Sequence, residues 1–351
     1  MFVSSTKYSS SLFDGISQRN KILQLVGGWS SYVPYPLLVG ESQGIVMNKK
    51  DLVIFSGFWN GFGKATSKVY AYDTSANSTA SKSVWREMQN VPIPSGLTHA
   101  AFALNSNLNN SVLYFCGGYV GPHPGGATNV CMTYKHNSPN GSQWSFLPSL
   151  PAVRAGGGML YNAASNSLLY TSGSSRPSQT DRKYTIDHNE TWELNLSQLS
   201  NGWIPKMPFP HAANHVGSVT ILYKGQYEKH FVLGGQHSED EKNGNKASVF
   251  EWDATTEKWT PRASLPIPRG HFASSTVPYK QCGIIIAGGA MNKAKKTGDI
   301  SYYEIETDSW RSIGSLPAGL NSPVCGIGAD SFFYCETGDV KKKFSWRQQI
   351  I

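Results

Sequence analysis

Short apolar runs separated by polar stretches recur in the same order six times along this chain. Each unit opens with an alternating run and continues with a nearly continuous apolar run that ends in glycine. After a polar loop, it reaches a third run that is rich in aromatic residues. Alternation with a period of two predicts a half-buried strand, and a continuous apolar run bounded by turn residues predicts a buried one. Each unit is therefore predicted to contain three consecutive β-strands.

The predicted strand boundaries follow from these runs. The first strands are expected at 42–47, 98–104, 156–161, 215–222, 271–277 and 322–328. The second strands are expected at 52–57, 112–118, 168–173, 230–235, 283–289 and 332–338. The third strands are expected at 68–73, 129–134, 188–194, 248–253, 299–305 and 343–348.

A tryptophan marks a fourth strand in each unit. Six tryptophans recur at near-regular steps, and each leads into a run that contains proline: Trp29, Trp85, Trp144, Trp203, Trp259 and Trp310. Four strands repeated at a near-constant period are typical of β-propeller blades, where bulky side chains fill the space between twisted sheets. We therefore predict an all-β, six-bladed propeller in which these tryptophans serve packing.

The units resemble the kelch-repeat family, which belongs to the same propeller superfamily as galactose oxidase. The resemblance rests on a Gly-Gly doublet such as Gly234-Gly235, an aromatic third strand such as Val249–Asp253, and a tryptophan followed by a Leu-Pro turn. It covers essentially 25–350 and is strongest in 211–268 and 269–319. The doublet is incomplete at Gly57, Gly173 and Gly338. The resemblance implies a kelch-type propeller.

The two ends of the chain complement each other. The last unit begins near Leu320 and supplies three strands without a tryptophan strand, whereas Trp29 stands in such a strand with no first three strands before it. We therefore predict a composite closing blade of three C-terminal strands and one N-terminal strand, which removes exposed sheet edges. The expected domains are a poorly ordered extension at 1–20 and one propeller at 21–351. Its blades are expected at 42–94, 95–153, 154–210, 211–268, 269–319, and 320–351 plus 21–36.

Composition narrows the class of protein. The 351 residues are 39% apolar and 12% aromatic, which is enough for a packed core. No stretch approaches the roughly 18 apolar residues of a membrane span, so we expect none. The start of the chain, MFVSSTKYSSSLFDG, lacks the apolar segment of a secretory signal. We therefore favour the cytoplasm, with secretion as the alternative if a leader is missing.

The five cysteines are an odd number, so they cannot all pair with one another. Cys325 and Cys335 flank a short turn and would face each other in a hairpin, and Cys116 and Cys131 would lie on neighbouring strands. We favour buried free thiols, which behave as small apolar side chains. The two bridges stand as the alternative.

The loops between second and third strands, and those from a fourth strand to the next first strand, are predicted to emerge together on what we call the loop face. The second-to-third loops carry thirteen Lys and Arg residues against five Asp and Glu residues, a surplus equal to the chain's net charge of +8. The positive electrostatic potential of these loops would attract anionic partners.

The binding residues expected on the loop face are aromatic, histidine and basic side chains, which include the usual anchors of interfaces. They are Trp59, Tyr119, His123, Arg154, Arg176, His211, His237, Arg269, His271, Lys293, Lys295 and Lys296. Arg154 and Arg269 occupy equivalent repeat positions, so we favour a structural role for both, with bonds to carbonyl groups of a neighbouring blade.

No metal site or cofactor is predicted. His99, His215 and His271 approach the loop face from different units, and no His-x-His or His-Glu-x-x-His spacing supports a site. The Tyr-His dipeptide of copper-radical oxidases and the E-x-x-x-D-x-x-x-H run of iron-binding specifier proteins are both absent. Acid–base catalysis by His237 with the acids at 239–241 is a weaker alternative, because three adjacent acids followed by lysine suit a solvated loop.

We therefore predict a non-enzymatic, monomeric kelch propeller that binds a protein or an anionic ligand through the loop face and acts as a scaffold. The alternatives are a carbohydrate-active propeller enzyme, of the sugar-oxidase or sugar-acid-epimerase type, and a secreted glycan-binding protein. Nucleic acid is not an expected ligand, because the loops lack interleaved aromatic residues and no recognition helix is apparent.

Overall fold

The structure is a computed structural model, and it describes residues 23–75, 84–106, 111–138, 143–176, 185–237, 244–292 and 295–351. The predicted extension at 1–20 lies outside these ranges. Within them the chain forms β-strands and two short 3₁₀ turns, η1 at Leu199–Asn201 and η2 at Ala273–Ser275. No helix in the described ranges is long and apolar enough to cross a membrane.

The described strands form principal sheets that we number 1 to 6 in chain order, each with antiparallel pairing throughout. Strand β1 (Leu25–Ser31) precedes sheet 1, which contains β2 (Val39–Gly40), β3 (Gln43–Met47), β4 (Asp51–Trp59), β5 (Ala65–Asp73) and β6 (Arg86–Met88). Sheet 2 contains β8 (Ala101–Asn105), β9 (Val112–Cys116), β12 (Cys131–Lys135) and β13 (Trp144–Leu147). A small separate sheet contains β7 (Leu97–Thr98), β10 (Tyr119–Val120) and β11 (Gly126–Ala127). Sheet 3 contains β14 (Gly158–Asn162), β15 (Ser167–Thr171), β18 (Thr191–Asn195) and β19 (Trp203–Lys206), beside a ribbon of β16 (Ser174–Ser175) and β17 (Ile186–Asp187).

The remaining sheets follow the same plan. Sheet 4 contains β20 (Gly217–Tyr223), β21 (Tyr227–Leu233), β22 (Val249–Asp253) and β23 (Lys258–Arg262). Sheet 5 contains β24 (Thr276–Tyr279), β25 (Gly283–Ala287), β26 (Ala290–Met291), β27 (Lys295–Glu304) and β28 (Ser309–Leu320). Sheet 6 contains β29 (Val324–Ile327), β30 (Phe332–Glu336) and β31 (Ser345–Ile350), and β1 pairs with β31 at its edge. The first and last described strands of the chain therefore share one sheet.

The core lies between neighbouring sheets, where aromatic and aliphatic side chains from facing strands pack together. The rings of Phe55 in sheet 1 and Phe115 in sheet 2 lie 5.0 Å apart. Those of Phe231 in sheet 4 and Tyr303 in sheet 5 lie 5.7 Å apart. Sheet 6 also packs on sheet 1, since residues of both belong to one buried apolar cluster. Burial of such side chains is the main stabilising contribution.

All six repeat tryptophans join neighbouring sheets through their indole N–H groups. Each donates to a backbone carbonyl oxygen at 2.8–3.1 Å, in or after the last strand of the preceding sheet. The pairs are Trp29 to Ser315, Trp85 to Val33, Trp144 to Gln89, Trp203 to Pro148, Trp259 to Met207 and Trp310 to Ala263. The tryptophans therefore supply a directional bond in addition to packing.

Four cysteines form disulfides, and the expectation of free thiols is wrong for them. Cys116 faces Cys131 across β9 and β12, and Cys325 faces Cys335 across β29 and β30. The Cα atoms of both pairs lie 4.2 Å apart, and both pairs are bonded. Directly opposed residues of antiparallel strands can approach about this closely, which brings the two cysteine side chains together. Among the described residues Cys282 carries a free thiol.

Glycines end several second strands because the backbone there leaves no room for a side chain. Gly117 and Gly118 follow β9 with φ values of 69° and 106°. A Cβ atom on Gly117 would lie 2.2 Å from the Arg154 carbonyl oxygen, and one on Gly118 would lie 2.6 Å from that of Thr98. The glycines therefore let the second strand of one sheet approach the turns that lead into its own sheet and the next.

Candidate functional site

Four side chains from four different sheets converge at one point. Each stands two residues before a strand or turn near the start of its repeat: β3, β8, β20 or η2. They are Glu41, His99, His215 and His271, and we call them the His–Glu cluster. One nitrogen or oxygen atom from each of the four side chains lies within 4.8 Å of those of the others.

The backbone is left-handed at every residue of the cluster. Their φ values are 58° at Glu41, 56° at His99, 52° at His215 and 62° at His271. Non-glycine residues seldom adopt this conformation, and those that do concentrate at functional sites. The left-handed turn also explains why β3, β8 and β20 begin later than the sequence pattern predicts.

Backbone hydrogen bonds hold neighbouring turns at fixed spacing. The equivalent position of sheet 3 is occupied by Gly156, whose N–H donates to the His99 carbonyl oxygen at 2.8 Å. The His271 N–H donates to the His215 carbonyl oxygen at 3.1 Å. At the equivalent position of sheet 6, the Ser322 hydroxyl accepts a bond from the Glu41 N–H at 3.0 Å. The cluster is therefore built on a rigid frame of linked turns.

The carboxylate of Glu41 lies among the three imidazole rings. Its Oε2 atom is 2.6 Å from His99 Nε2 and 3.1 Å from His271 Nδ1. The His215 and His271 rings stack with centroids 3.8 Å apart, and the His99 ring stands edge-on to His215 at 4.8 Å. The Nδ2 group of Asn321 donates to the other carboxylate oxygen of Glu41 at 2.9 Å.

Burial and mutual attraction set the charges of the cluster. Burial, with repulsion from His271 and His99, lowers the pKa of His215 well below its usual value. Burial alone would raise the pKa of Glu41, but attraction to His271 and His99 outweighs it and holds that pKa well below its usual value. At neutral pH the cluster therefore contains an ionised carboxylate and a neutral His215.

A second layer of polar contacts orients the rings. Nδ1 of His99 lies 2.8 Å from Thr98 Oγ1, and Nδ1 of His215 contacts Asn214 Oδ1. Asn214 Nδ2 in turn donates to the carboxylate of Asp187. These contacts occupy the Nδ1 atoms of His99 and His215, while Nε2 of His99 faces the Glu41 carboxylate.

A small cavity adjoins the cluster. It has a volume of about 40 Å³, and its walls include all four cluster residues with Ser42, Ser274 and Ser322. A cavity needs roughly 10–15 Å³ to hold a single water molecule, so this cavity is large enough for an ion together with a water molecule. Glu41, His99, His215 and His271 are the described residues that offer metal-binding atoms so close together.

Tyr119 and Arg176, two of the predicted binding residues, lie beside the cluster. The Tyr119 ring is 5.3 Å from that of His99, and the Arg176 guanidinium covers Tyr119 at 4.5 Å. Arg176 is buried and donates to the Pro124 carbonyl oxygen at 2.5 Å. Arg176 therefore helps to build the wall around the cluster.

Trp59 and His123 contribute to an exposed aromatic patch with Phe62. Trp59 is 36% exposed and Phe62 is 49% exposed. The rings of Phe62 and His123 lie 5.9 Å apart, and Lys64 Nζ lies 5.8 Å from the Trp59 ring centre. We call Trp59, Phe62 and His123 the aromatic patch.

Arg154 and Arg269 are buried, and their contacts lie within their own repeat or with the preceding residue instead of on the carbonyl groups of a neighbouring blade that the sequence analysis expects. Arg269 donates to the carbonyl oxygen of Gly288 at 3.0 Å and forms an ion pair with Asp299 at 2.5 Å. Arg154 donates to the Val153 carbonyl oxygen at 2.8 Å and covers the Trp192 ring at 5.0 Å.

The other predicted residues lie apart from the cluster. His211 contacts Ser248 Oγ at 2.9 Å, and burial lowers its pKa. His237 contacts Asp187 at 3.2 Å and is exposed. Lys295 is exposed, and Lys296 pairs with Asp339 at 2.6 Å. Lys293 and the acids at 239–241 lie outside the described residues.

Sequence reasoning brings His99, His215 and His271 to the loop face but misses Glu41. The sequence signal that could have identified Glu41 is its position in the repeat, because each cluster residue stands two residues before β3, β8, β20 or η2. An alignment of the repeats that matches the runs Glu41-Ser42-Gln43, His99-Ala100-Ala101 and His215-Val216-Gly217 would place Glu41, His99 and His215 at the same repeat position. Metal-binding motifs within a single element could not reveal a site built from four repeats.

Comparisons with known proteins match most of the chain to proteins named for kelch repeats. The "Kelch-like protein terF" of Aspergillus terreus (strain NIH 2624 / FGSC A1156) is 24% identical over 330 residues, which are 88% of this chain and 63% of that protein. The "F-box/kelch-repeat protein SKIP30" of Arabidopsis thaliana is 34% identical over 153 residues, which are 40% of this chain and 41% of that protein. The chain therefore spans less than two thirds of either relative. No protein-family model matches it.

A solved structure described as "Structure of YjhT" is similar to this chain with a TM-score of 0.63. It shares 18% sequence identity, and the match covers 92% of this chain and 96% of the other. This likeness concerns the fold. The names of the two relatives lend no support to the carbohydrate-active alternatives.

Proposed function

Because this chain is a kelch-repeat β-propeller protein, we propose that it is a protein-binding module whose partner docks on the loop face. The observation that carries the proposal is the aromatic patch, since it exposes Trp59 at the end of β4 and Phe62 in the turn that follows it. Exposed aromatic side chains on a rigid frame are the usual anchors of protein interfaces. The Phe62 carbonyl oxygen accepts a bond from the His123 N–H at 2.9 Å, which ties two loops together. The anchors are therefore held in place before a partner arrives.

The charge around the patch favours an acidic partner surface. Lys64, Lys295 and the run Lys341–Lys343 are exposed in the loops. Other loop lysines are partly neutralised, because Lys68 pairs with Glu87 and Lys296 pairs with Asp339. The exposed lysines would steer acidic groups toward the face, with an effect that weakens as salt rises.

We also propose that sheets 1 to 6 are the six blades of one ring that occupies 21–351, with sheet 6 as the composite closing blade. Three features support this arrangement. The strand β1 pairs with β31, sheet 6 packs on sheet 1, and the Trp29 indole donates to Ser315 of sheet 5 as the other repeat tryptophans do to their own neighbours. In such a ring every sheet would be covered on both faces.

The test is capture of partners from an extract of the source organism by three immobilised forms of the chain. The double variant Trp59→Ala/Phe62→Ala removes the anchors of the patch. Phe146→Ala is the matched control, because Phe146 is 65% exposed on β13, a fourth strand. We expect mass spectrometry to find the same set of enriched proteins with the wild type and the control, and to find it depleted at least tenfold with the double variant. Equal recovery by all three forms would exclude the patch as the docking surface.

A further inference from the structure

We propose that the His–Glu cluster binds one divalent first-row transition metal ion. The ligands are one carboxylate oxygen of Glu41 and one imidazole nitrogen each from His99, His215 and His271. This site is independent of the protein-binding role proposed for the loop face.

The donor set selects the class of metal. Imidazole nitrogen suits Zn²⁺, Fe²⁺, Co²⁺ and Ni²⁺, and one carboxylate completes a four-ligand set that such ions accept. Ca²⁺ and Mg²⁺ require sites made mainly of oxygen atoms. Three nitrogens with a single carboxylate therefore favour a transition metal over the abundant hard cations.

The positions of the donor atoms suit one ion. With bonds of about 2.0–2.2 Å to nitrogen and oxygen, two ligand atoms of a single ion lie up to about 4.3 Å apart. All four candidate atoms lie within 4.8 Å of one another. In a tetrahedral site the ligand atoms lie about 3.4 Å apart, so binding would draw the widest pair together by about 1 Å and move Glu41 Oε2 away from His99 Nε2.

His99, His215 and Glu41 have the outer contacts that ligands in metal sites usually show. Histidine ligands of metals usually hold their second ring nitrogen on a polar partner, which fixes the ring and its tautomer. Thr98 performs this role for His99, and Asn214, itself held by Asp187, performs it for His215. Asn321 similarly holds the Glu41 oxygen that does not face the rings.

One side of the site has room for a further ligand. Gly156 takes the place that a cluster residue takes in the neighbouring repeats, so this repeat contributes no side chain to the cavity wall that it lines. The cavity of about 40 Å³ adjoins the four side chains. A water molecule or a small exogenous ligand can therefore complete the coordination, as it does at open metal sites.

The experiment uses the full chain stripped of metal with a chelator and then titrated with Zn²⁺ by calorimetry and with Co²⁺ by absorption spectroscopy. We expect one ion per chain, visible bands of Co²⁺ bound by nitrogen and oxygen, and no binding of Mg²⁺ or Ca²⁺ at the same concentrations. Glu41→Gln and His215→Gln keep the shape of the side chains approximately and remove a ligand. Each should weaken Zn²⁺ binding by more than the roughly 10- to 100-fold that loss of an outer-shell partner costs, and Asn214→Ala should fall within that range.

His211→Gln is the matched control, because His211 lies four residues before His215 and outside the cluster. It should bind Zn²⁺ like the wild type, and so should Trp59→Ala/Phe62→Ala, which separates this proposal from the protein-binding one. Circular dichroism shows which variants are folded, and Glu41→Gln serves as the test if a histidine variant unfolds. Absence of stoichiometric binding in the wild type, or wild-type affinity in a folded Glu41→Gln variant, would overturn the proposal.

Discussion

Glu336 is a carboxyl group with no exposed surface, at the end of β30. Its Oε2 atom accepts a bond from the Ser345 hydroxyl at 2.9 Å, and burial raises its pKa to about 8 from an ordinary value of 4.5. In the unfolded chain the same group ionises near its ordinary pKa. Folding therefore requires Glu336 to take up a proton over the neutral range.

This raised pKa makes stability fall as the pH increases. The contribution of Glu336 is fully present below about pH 4.5 and is lost progressively as the pH rises toward 8. Within that window the loss approaches about 1.4 kcal/mol per pH unit. Urea unfolding at pH 5.5, 6.5 and 7.5 should give a free energy of unfolding that falls more steeply with pH in the wild type than in Glu336→Gln, which keeps an acceptor for Ser345, and the difference between the two slopes should approach this value. Equal slopes would show that Glu336 is ionised in the folded protein.

Residues of this kind mark the limit of sequence reasoning. The apolar run 332–338 correctly predicts the strand that contains Glu336, but it does not show that this acid is covered on all sides. The cysteines pose the same difficulty, because the pattern places Cys325 opposite Cys335 and leaves their oxidation state open. Burial and bonding depend on the neighbouring sheet, which lies far away in the sequence.

At the scale of elements, the alternating and continuous runs predict the strands closely, and the exceptions have local causes. The run predicted as a strand at 271–277 is interrupted by the turn η2, and its ordered ladder begins only at Thr276. Ser275 N–H and Thr276 Oγ1 both bond to the Phe272 carbonyl oxygen, at 3.0 and 2.9 Å. Side-chain hydroxyls that bond nearby backbone compete with strand pairing, which an apolar–polar pattern does not register.

The bond from Trp29 tests whether β1 belongs to the same repeat as the other fourth strands. Trp29→Phe removes a bond of 2.8 Å to Ser315, and Trp310→Phe removes a bond of the same length to Ala263. Since a net hydrogen bond contributes about 0.5–1.5 kcal/mol, both variants should lower the free energy of unfolding by similar amounts in urea titrations. A neutral Trp29→Phe beside a destabilised Trp310→Phe would show that β1 is not docked in this way.

At the scale of the whole molecule, the period of the tryptophans predicts an all-β propeller, and the resemblance of the repeat motifs to kelch repeats is confirmed by the relatives. The His–Glu cluster could not be predicted in the same way. Its members lie in four repeats, and only the packing of separate sheets brings Glu41 within 3.1 Å of His271. A site of this type depends on how several sheets pack together, and no single element reveals it.

The central claim is that separate repeats bring their turn residues together around one metal ion. Diffraction from crystals soaked in Zn²⁺, recorded on both sides of the zinc absorption edge, tests it most directly. We expect one strong anomalous peak, at about 2.0–2.2 Å from ligand atoms of Glu41, His99, His215 and His271. A map in which these four side chains meet but carry no peak, or in which Glu41 lies far from the three histidines, would contradict it.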